Sequence, residues 1–202
     1  MLFLLKRSVP GGLAGLLVLA VAGFALRTWL PDVPRFEPSW RAAFLGLAIV
    51  SIMLASDALL HVLFCLLFRE RYRRRHRDLV EVFRGQSLAA MLIGAVMAGI
   101  GEEPVFRGLG FKPAYLIVAA VAFGLLHHIR WSLWPFTVWA IYEGLLLAAG
   151  FYITQSLFAL MVAHGLHDLA GFLLFRYLNL KNRLDEQPPP PPRSSSRSAE
   201  RG

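Results

Sequence analysis

Gly85-Gln-Ser-Leu-Ala-Ala-Met-Leu-Ile-Gly-Ala-Val-Met-Ala-Gly-Ile-Gly101-Glu102-Glu103-Pro104-Val105-Phe106-Arg107-Gly108 is an uncharged apolar run that ends in two carboxylates and then an arginine. The run is long enough to approach a membrane span, which takes about 20 apolar residues. The rest of the chain has the same character. Hydrophobic residues make up 56% of the 202 residues and charged residues only 17%. A soluble domain averages about 25% charged. Disorder of the main body is excluded by the same composition. Cys65 is the single cysteine, so a disulfide scaffold is excluded as well. The expectation is an all-α, polytopic membrane bundle of about six transmembrane helices around a polar cavity.

Five further spans are read outward from that run. Ser8–Leu26 follows Lys6 and Arg7 and reads as an uncleaved signal anchor with its N-terminus inside. Trp29 would mark the outer interface. The second span runs from about Ala42 to Phe68, and the fourth from Pro113 to Ile129. Trp131 to Phe175 is too long for one span and divides into Pro135–Phe151 and Ser156–Leu178, hinged near Gly150. Six spans place both termini in the cytoplasm.

The net charge of +8 is concentrated. Arg69, Arg71, Arg73, Arg74, Arg75 and Arg77 lie between two apolar runs, as the positive-inside rule describes for a cytoplasmic loop. They are expected to meet anionic phospholipid. No nucleic-acid module or base-stacking pattern accompanies them, so a nucleic-acid partner is not expected. From Asp185 the tail becomes low-complexity, with Pro188 to Pro192 followed by an Arg/Ser stretch. It reads as polyproline II and then coil. The organisation is thus residues 1–80, two spans and the basic loop; 81–180, the core; and 181–202, a disordered tail.

Ionisable side chains inside a membrane cost about 2.5–3.5 kcal/mol each on insertion scales and are functional candidates for that reason. They form groups at helical spacing. Glu103 and Arg107 are four apart and can pair, leaving Glu102 on a neighbouring face for chemistry. Phe123 and His127 share a face, as do His164 and Asp168. His167 lies on a face adjacent to that of His164. Asp57 and His61, also four apart, read as a structural pair. Glu143 is mid-helix, with Arg130 or Arg176 as candidate partners. Cys65, between Phe64 and Leu66, reads as a small core residue. There is no Gly-x-Ser-x-Gly, no Walker motif, no Rossmann fingerprint and no Cys-x-x-Cys.

Glu-Glu-x-x-x-Arg, Phe-x-x-x-His and His-x-x-x-Asp occur in order on three separate helices. The series resembles the CPBP family, the CAAX-protease and bacteriocin-processing membrane proteins, also called the Abi family. Glu102, Glu103, Arg107, Phe123, His127, His164 and Asp168 carry the resemblance, which covers roughly residues 85–178. It implies an intramembrane endopeptidase acting on a membrane-embedded or membrane-proximal peptide segment of a membrane-anchored substrate, such as a CAAX-type end or a C-terminal sorting signal. Carried onto this chain, it implies Glu102 as general base with His127, and His164 and Asp168 as oxyanion stabilisers. Glu103, Arg107 and Phe123 would be supporting residues. No cofactor is implied, although Glu102, His127, His164 and Asp168 also make an N/O ligand set for Zn²⁺. Asp168 stands where the family often has Asn, and an ionised Asp cannot donate to an oxyanion. With that resemblance, the expected location is a bacterial inner (cell) membrane.

Two other classes use the same residues: a membrane immunity or scaffold protein that binds through the cavity, and a small proton-coupled transporter. One geometric difficulty attends the protease reading. Simple antiparallel helices would separate Glu102 and His127 by about 15 Å along the membrane normal. Tilt, a longer fourth helix, or a break between Gly108 and Pro113 would close that gap.

Overall fold

The computed structural model describes residues 9–30, 36–128 and 131–185. Lys6, Arg7, Asp32, Arg130 and the polyproline tail lie outside the described residues. Among the described residues the chain is helical, with no strand. The helices are α1 (Val9–Arg27), α2 (Trp40–Val82), α3 (Leu88–Phe106), α4 (Pro113–Leu126), α5 (Trp134–Thr154) and α6 (Leu157–Asp185), with a 3₁₀ turn at Trp131–Leu133 before α5. α2, α3, α6 and α5 together with its 3₁₀ turn are long and apolar enough to cross a membrane, and α1 and α4 are shorter apolar helices. The all-helical membrane bundle expected from composition is therefore present.

Local chemistry sets most helix ends. The Ser39 hydroxyl accepts from the Ala42 amide at the start of α2, and the Ser87 hydroxyl accepts from the Ala90 amide at the start of α3. Pro113 opens α4, where its missing N–H is no loss. α5 stops at Gln155, which adopts the left-handed conformation at φ 54°. The turn between the last two helices is thus at Gln155 and Ser156. It is not near Gly150, which lies inside α5 and packs against Ile49.

The arginine-rich segment is not a loop. It continues α2 as a helical arm after a sharp break at Arg69, with φ 38° and ψ −114°. The arm folds back, so that the Tyr72 hydroxyl meets His61 Nδ1 at 2.9 Å and the His76 ring lies 5.1 Å from that of His61. Tyr72, His76, Val80 and Phe83 face the protein, while the six arginines face outward. This 3.6-residue period makes the arm amphipathic.

α6 packs on both α2 and α3, α1 packs on α3, and α5 packs on α4. The contact between α3 and α6 is close because Gly99 lies against the Met161 carbonyl, where a Cβ would not fit. α1 approaches α3 in the same way, with Gly101 against Leu16. Met53, Leu147, Phe151, Leu157 and Leu160 form a fully buried cluster shared by α2, α5 and α6. Leu17, Val18, Phe44, Ile52, Val118 and Ile153 are exposed on the outer faces, where lipid would cover them.

Candidate active site

The last two turns of α3 carry Glu102 and Glu103 into the interior. Glu102 is 2% exposed, and Glu103 and Arg107 are fully buried. Arg107 Nη1 donates to Glu103 Oε1 at 2.8 Å, and Arg107 Nη2 donates to the Gly144 carbonyl at 2.9 Å. The guanidinium lies 4.8 Å from the centre of the Phe123 ring. Glu103 Oε1 also meets His164 Nδ1 at 2.7 Å, although 61 residues separate the two in sequence. A paired carboxylate only accepts, so the proton of this contact sits on His164 Nδ1. Nε2 then points at the space in front of Glu102.

Glu102 Oε2 lies 3.9 Å from His127 Nε2 and 3.8 Å from His164 Nε2. His164 Nε2 lies 3.8 Å from Asp168 Oδ2. These separations are too long for direct hydrogen bonds. Glu102 Oε2 has no hydrogen-bond partner among the described residues. His127 is fixed by its other nitrogen, because Nδ1 meets the Phe123 carbonyl at 2.7 Å. That carbonyl accepts, so the proton is on Nδ1 and the Nε2 lone pair faces Glu102. Phe123 packs against both imidazoles, with ring centres 4.3 Å from His127 and 5.6 Å from His164. The side chains of Glu102, His127 and His164 are almost enclosed. That of Asp168 is 29% exposed and marks the open side.

The expected 15 Å separation of Glu102 and His127 is absent, for a visible reason. The segment after α3 begins as a turn at residues 107–109 and climbs along α5. Arg107 is held at Gly144, whereas Phe111 stacks on Tyr152 at 5.4 Å. Eight helical residues of α5 rise about 12 Å. α4 therefore starts well beyond the end of α3, and its far end returns to the level of Glu102. Phe106 meets Phe123 on the way, at 5.3 Å. With 14 residues α4 is short, and His127 is its C-cap.

All seven residues named from sequence lie in this one region. Three contacts differ from the expected ones. The partner that orients His164 is Glu103; Asp168 lies beyond hydrogen-bond distance. Asp57 does not pair with His61; its Oδ2 meets His167 Nε2 at 2.7 Å. Glu143 does not meet Arg176, which reaches the Gln86 carbonyl instead, and lies 3.5 Å from His167 Nε2. Two of the expected contacts, His164 with Asp168 and Asp57 with His61, were local in sequence. The observed ones join different helices, and no spacing rule reaches across helices. His128 turns away from the site, to Thr137 Oγ1 at 3.0 Å.

The carboxylate and two imidazoles converge on a common space, a geometry suited to activating a water. No curated protein and no solved structure gives a significant match to the chain. The family model described as Rce1-like, type II CAAX prenyl endopeptidase, matches residues 84–170. That segment runs from just before α3 to the middle of α6 and contains the seven residues that build the site. Residues 84–170 are thus similar to a family of membrane proteases, and the chain, with four helices long and apolar enough to cross a membrane among its described residues, is an integral membrane protein.

Proposed function

We propose that the protein is a glutamate-dependent intramembrane endopeptidase. The observation that supports this most is the position of Glu102 Oε2, buried, unpartnered and within 3.9 Å of both His127 Nε2 and His164 Nε2. A water between Glu102 and His127 has two acceptors facing it. Glu102 takes its proton, and the oxygen attacks the carbonyl carbon of the scissile peptide. The carbonyl oxygen becomes negative and is met by the Nε2–H of His164 in its doubly protonated form. The proton held by Glu102 then passes to the amide nitrogen, the C–N bond breaks, and a carboxylic acid and an amine leave, the acid then giving its remaining proton to Glu102 or to solvent.

Glu103 and Arg107 are positioning residues in this scheme. They hold His164 by Nδ1 and anchor α3 to α5. Asp168 sits at the open side of the site, where a peptide would enter. The substrate is a membrane-anchored protein whose cleaved segment lies in or beside the membrane, of CAAX type or a C-terminal sorting signal. We place the chain in a bacterial cell membrane, with both termini and the arginine-rich arm on the cytoplasmic side against anionic lipid.

The deciding experiment compares membrane proteomes of cells lacking the protein and complemented with wild type or Glu102→Gln. New protein termini that appear with wild type only are expected. Identical termini, with both variants folded and in the membrane, would overturn the glutamate mechanism.

A further inference from the structure

A second set of ionisable side chains meets across three helices, outside the Glu102 centre. Asp57 comes from α2, Glu143 from α5 and His167 from α6. His167 Nε2 lies 2.7 Å from Asp57 Oδ2 and 3.5 Å from Glu143 Oε2. One ligand atom from each of the three lies within 4.8 Å of the other two. Glu143 is only 6% exposed, and neither of its carboxylate oxygens has a hydrogen-bond partner. Asp57 Oδ1 is also without one.

His167 Nε2 carries at most one proton, and its contact with Asp57 uses it. The Trp139 N–H also faces Glu143, and the Glu143 and Asp57 carboxyls adjoin each other. None of these groups besides His167 can carry positive charge, and two adjoining carboxylates in a low-dielectric interior are costly unless a further positive charge is present. A divalent cation supplies that charge. It neutralises both carboxylates and takes the lone pair of a neutral imidazole. The donor set is one nitrogen and two carboxylate oxygens. That set suits a borderline ion such as Zn²⁺, which binds with three protein ligands and leaves a fourth position for water. Ligand atoms about 2.0–2.1 Å from a tetrahedral Zn²⁺ lie roughly 3.3 Å apart. The observed 2.7 and 3.5 Å are close to that spacing.

We propose that Asp57, Glu143 and His167 form a divalent metal site, with Zn²⁺ its best-suited ion, tying α2 to the segment that carries the catalytic chemistry. Asp57 lies outside the family segment, whereas Glu143 and His167 lie inside it. The site is separate from the Glu102, His127, His164 and Asp168 set and does not depend on the protease mechanism. In that other set His164 Nδ1 is occupied by Glu103.

The test uses the full chain purified in detergent, stripped with chelator, loaded with Zn²⁺ and freed of excess, with bound metal measured by elemental analysis. About one ion per chain is expected for wild type and for Glu102→Gln. Asp57→Asn, Glu143→Gln and His167→Gln should each weaken Zn²⁺ more than about 100-fold, beyond the loss caused by removing an outer-shell partner. Loading with Co²⁺ instead should give the visible absorption of a four-coordinate nitrogen/oxygen site. That spectrum remains decisive if one of the variants fails to fold. A wild-type protein that retains no ion, or three ligand variants that retain it as well as wild type, would overturn the site. So would loss of the ion in Glu102→Gln. Cleavage by wild type that takes up no ion after Zn²⁺ loading would overturn this proposal and leave the protease reading standing.

Discussion

Glu103 serves two neighbours through one oxygen atom. Its Oε1 takes the Arg107 guanidinium and the His164 ring together, all within the protein interior. Removing the cation should therefore be costly. Arg107→Ala leaves a buried carboxylate with half its partners and is expected to lower stability by about 3–5 kcal/mol, measured by denaturant unfolding in micelles. It should also disturb His164, so that any surviving protein loses activity. Asp168 is different, being partly exposed and not hydrogen-bonded to His164. If its carboxylate is not the oxyanion donor, Asp168→Asn should keep kcat/KM within about tenfold of wild type on a peptide assay. His164→Gln should lose about 10²–10³-fold or more, as removal of an oxyanion donor does. A larger loss in Asp168→Asn than in His164→Gln would reverse the roles assigned here.

At the level of elements, the site depends on how α3 sits against α6 and where α4 begins. Gly99 lets the α3 backbone approach the Met161 carbonyl, and three residues later the same helix presents Glu102. Gly99→Ala should push the helices apart and cost about 1–3 kcal/mol, with activity falling more than stability because the Glu103–His164 contact is stretched. Thermal unfolding and the peptide assay together check this. The amphipathic arm after Arg69 has its own sensitivity. Burial, and then the neighbouring His61 ring, push the His76 imidazole below its ordinary value of 6.5. The folded arm then binds fewer protons than the unfolded chain. This contribution to stability is whole above 6.5 and is lost as pH falls below it. Hydrogen exchange over residues 70–82 should accelerate at about pH 5 relative to neutral pH, and His76→Gln should remove that difference.

For the whole molecule, the six outward arginines of the arm define one side of the bundle. Replacing them with alanine should lower the fraction inserted with the arm inside, as read by reporter fusions at the two ends of the chain. An unchanged orientation would show that the apolar helices alone set it.

The helical class was legible because intramembrane backbone must satisfy its own hydrogen bonds, and a chain this apolar has few alternatives to helices. The residues of the site were legible because charges in apolar runs are expensive and recur at helical spacing. Helix ends were less legible: Gln155 and not Gly150 turns the chain, and the arginine segment is a helix and not a loop. The order of residues thus settled the kind of structure and the cast of ionisable groups. Packing alone decided which of them meet. Glu103 reaches His164, Asp57 reaches His167, and the connection between α3 and α4 brings Glu102 to within 3.9 Å of His127. These contacts span up to 110 residues. They arise from close helix approach and helix offset, which no local periodicity encodes.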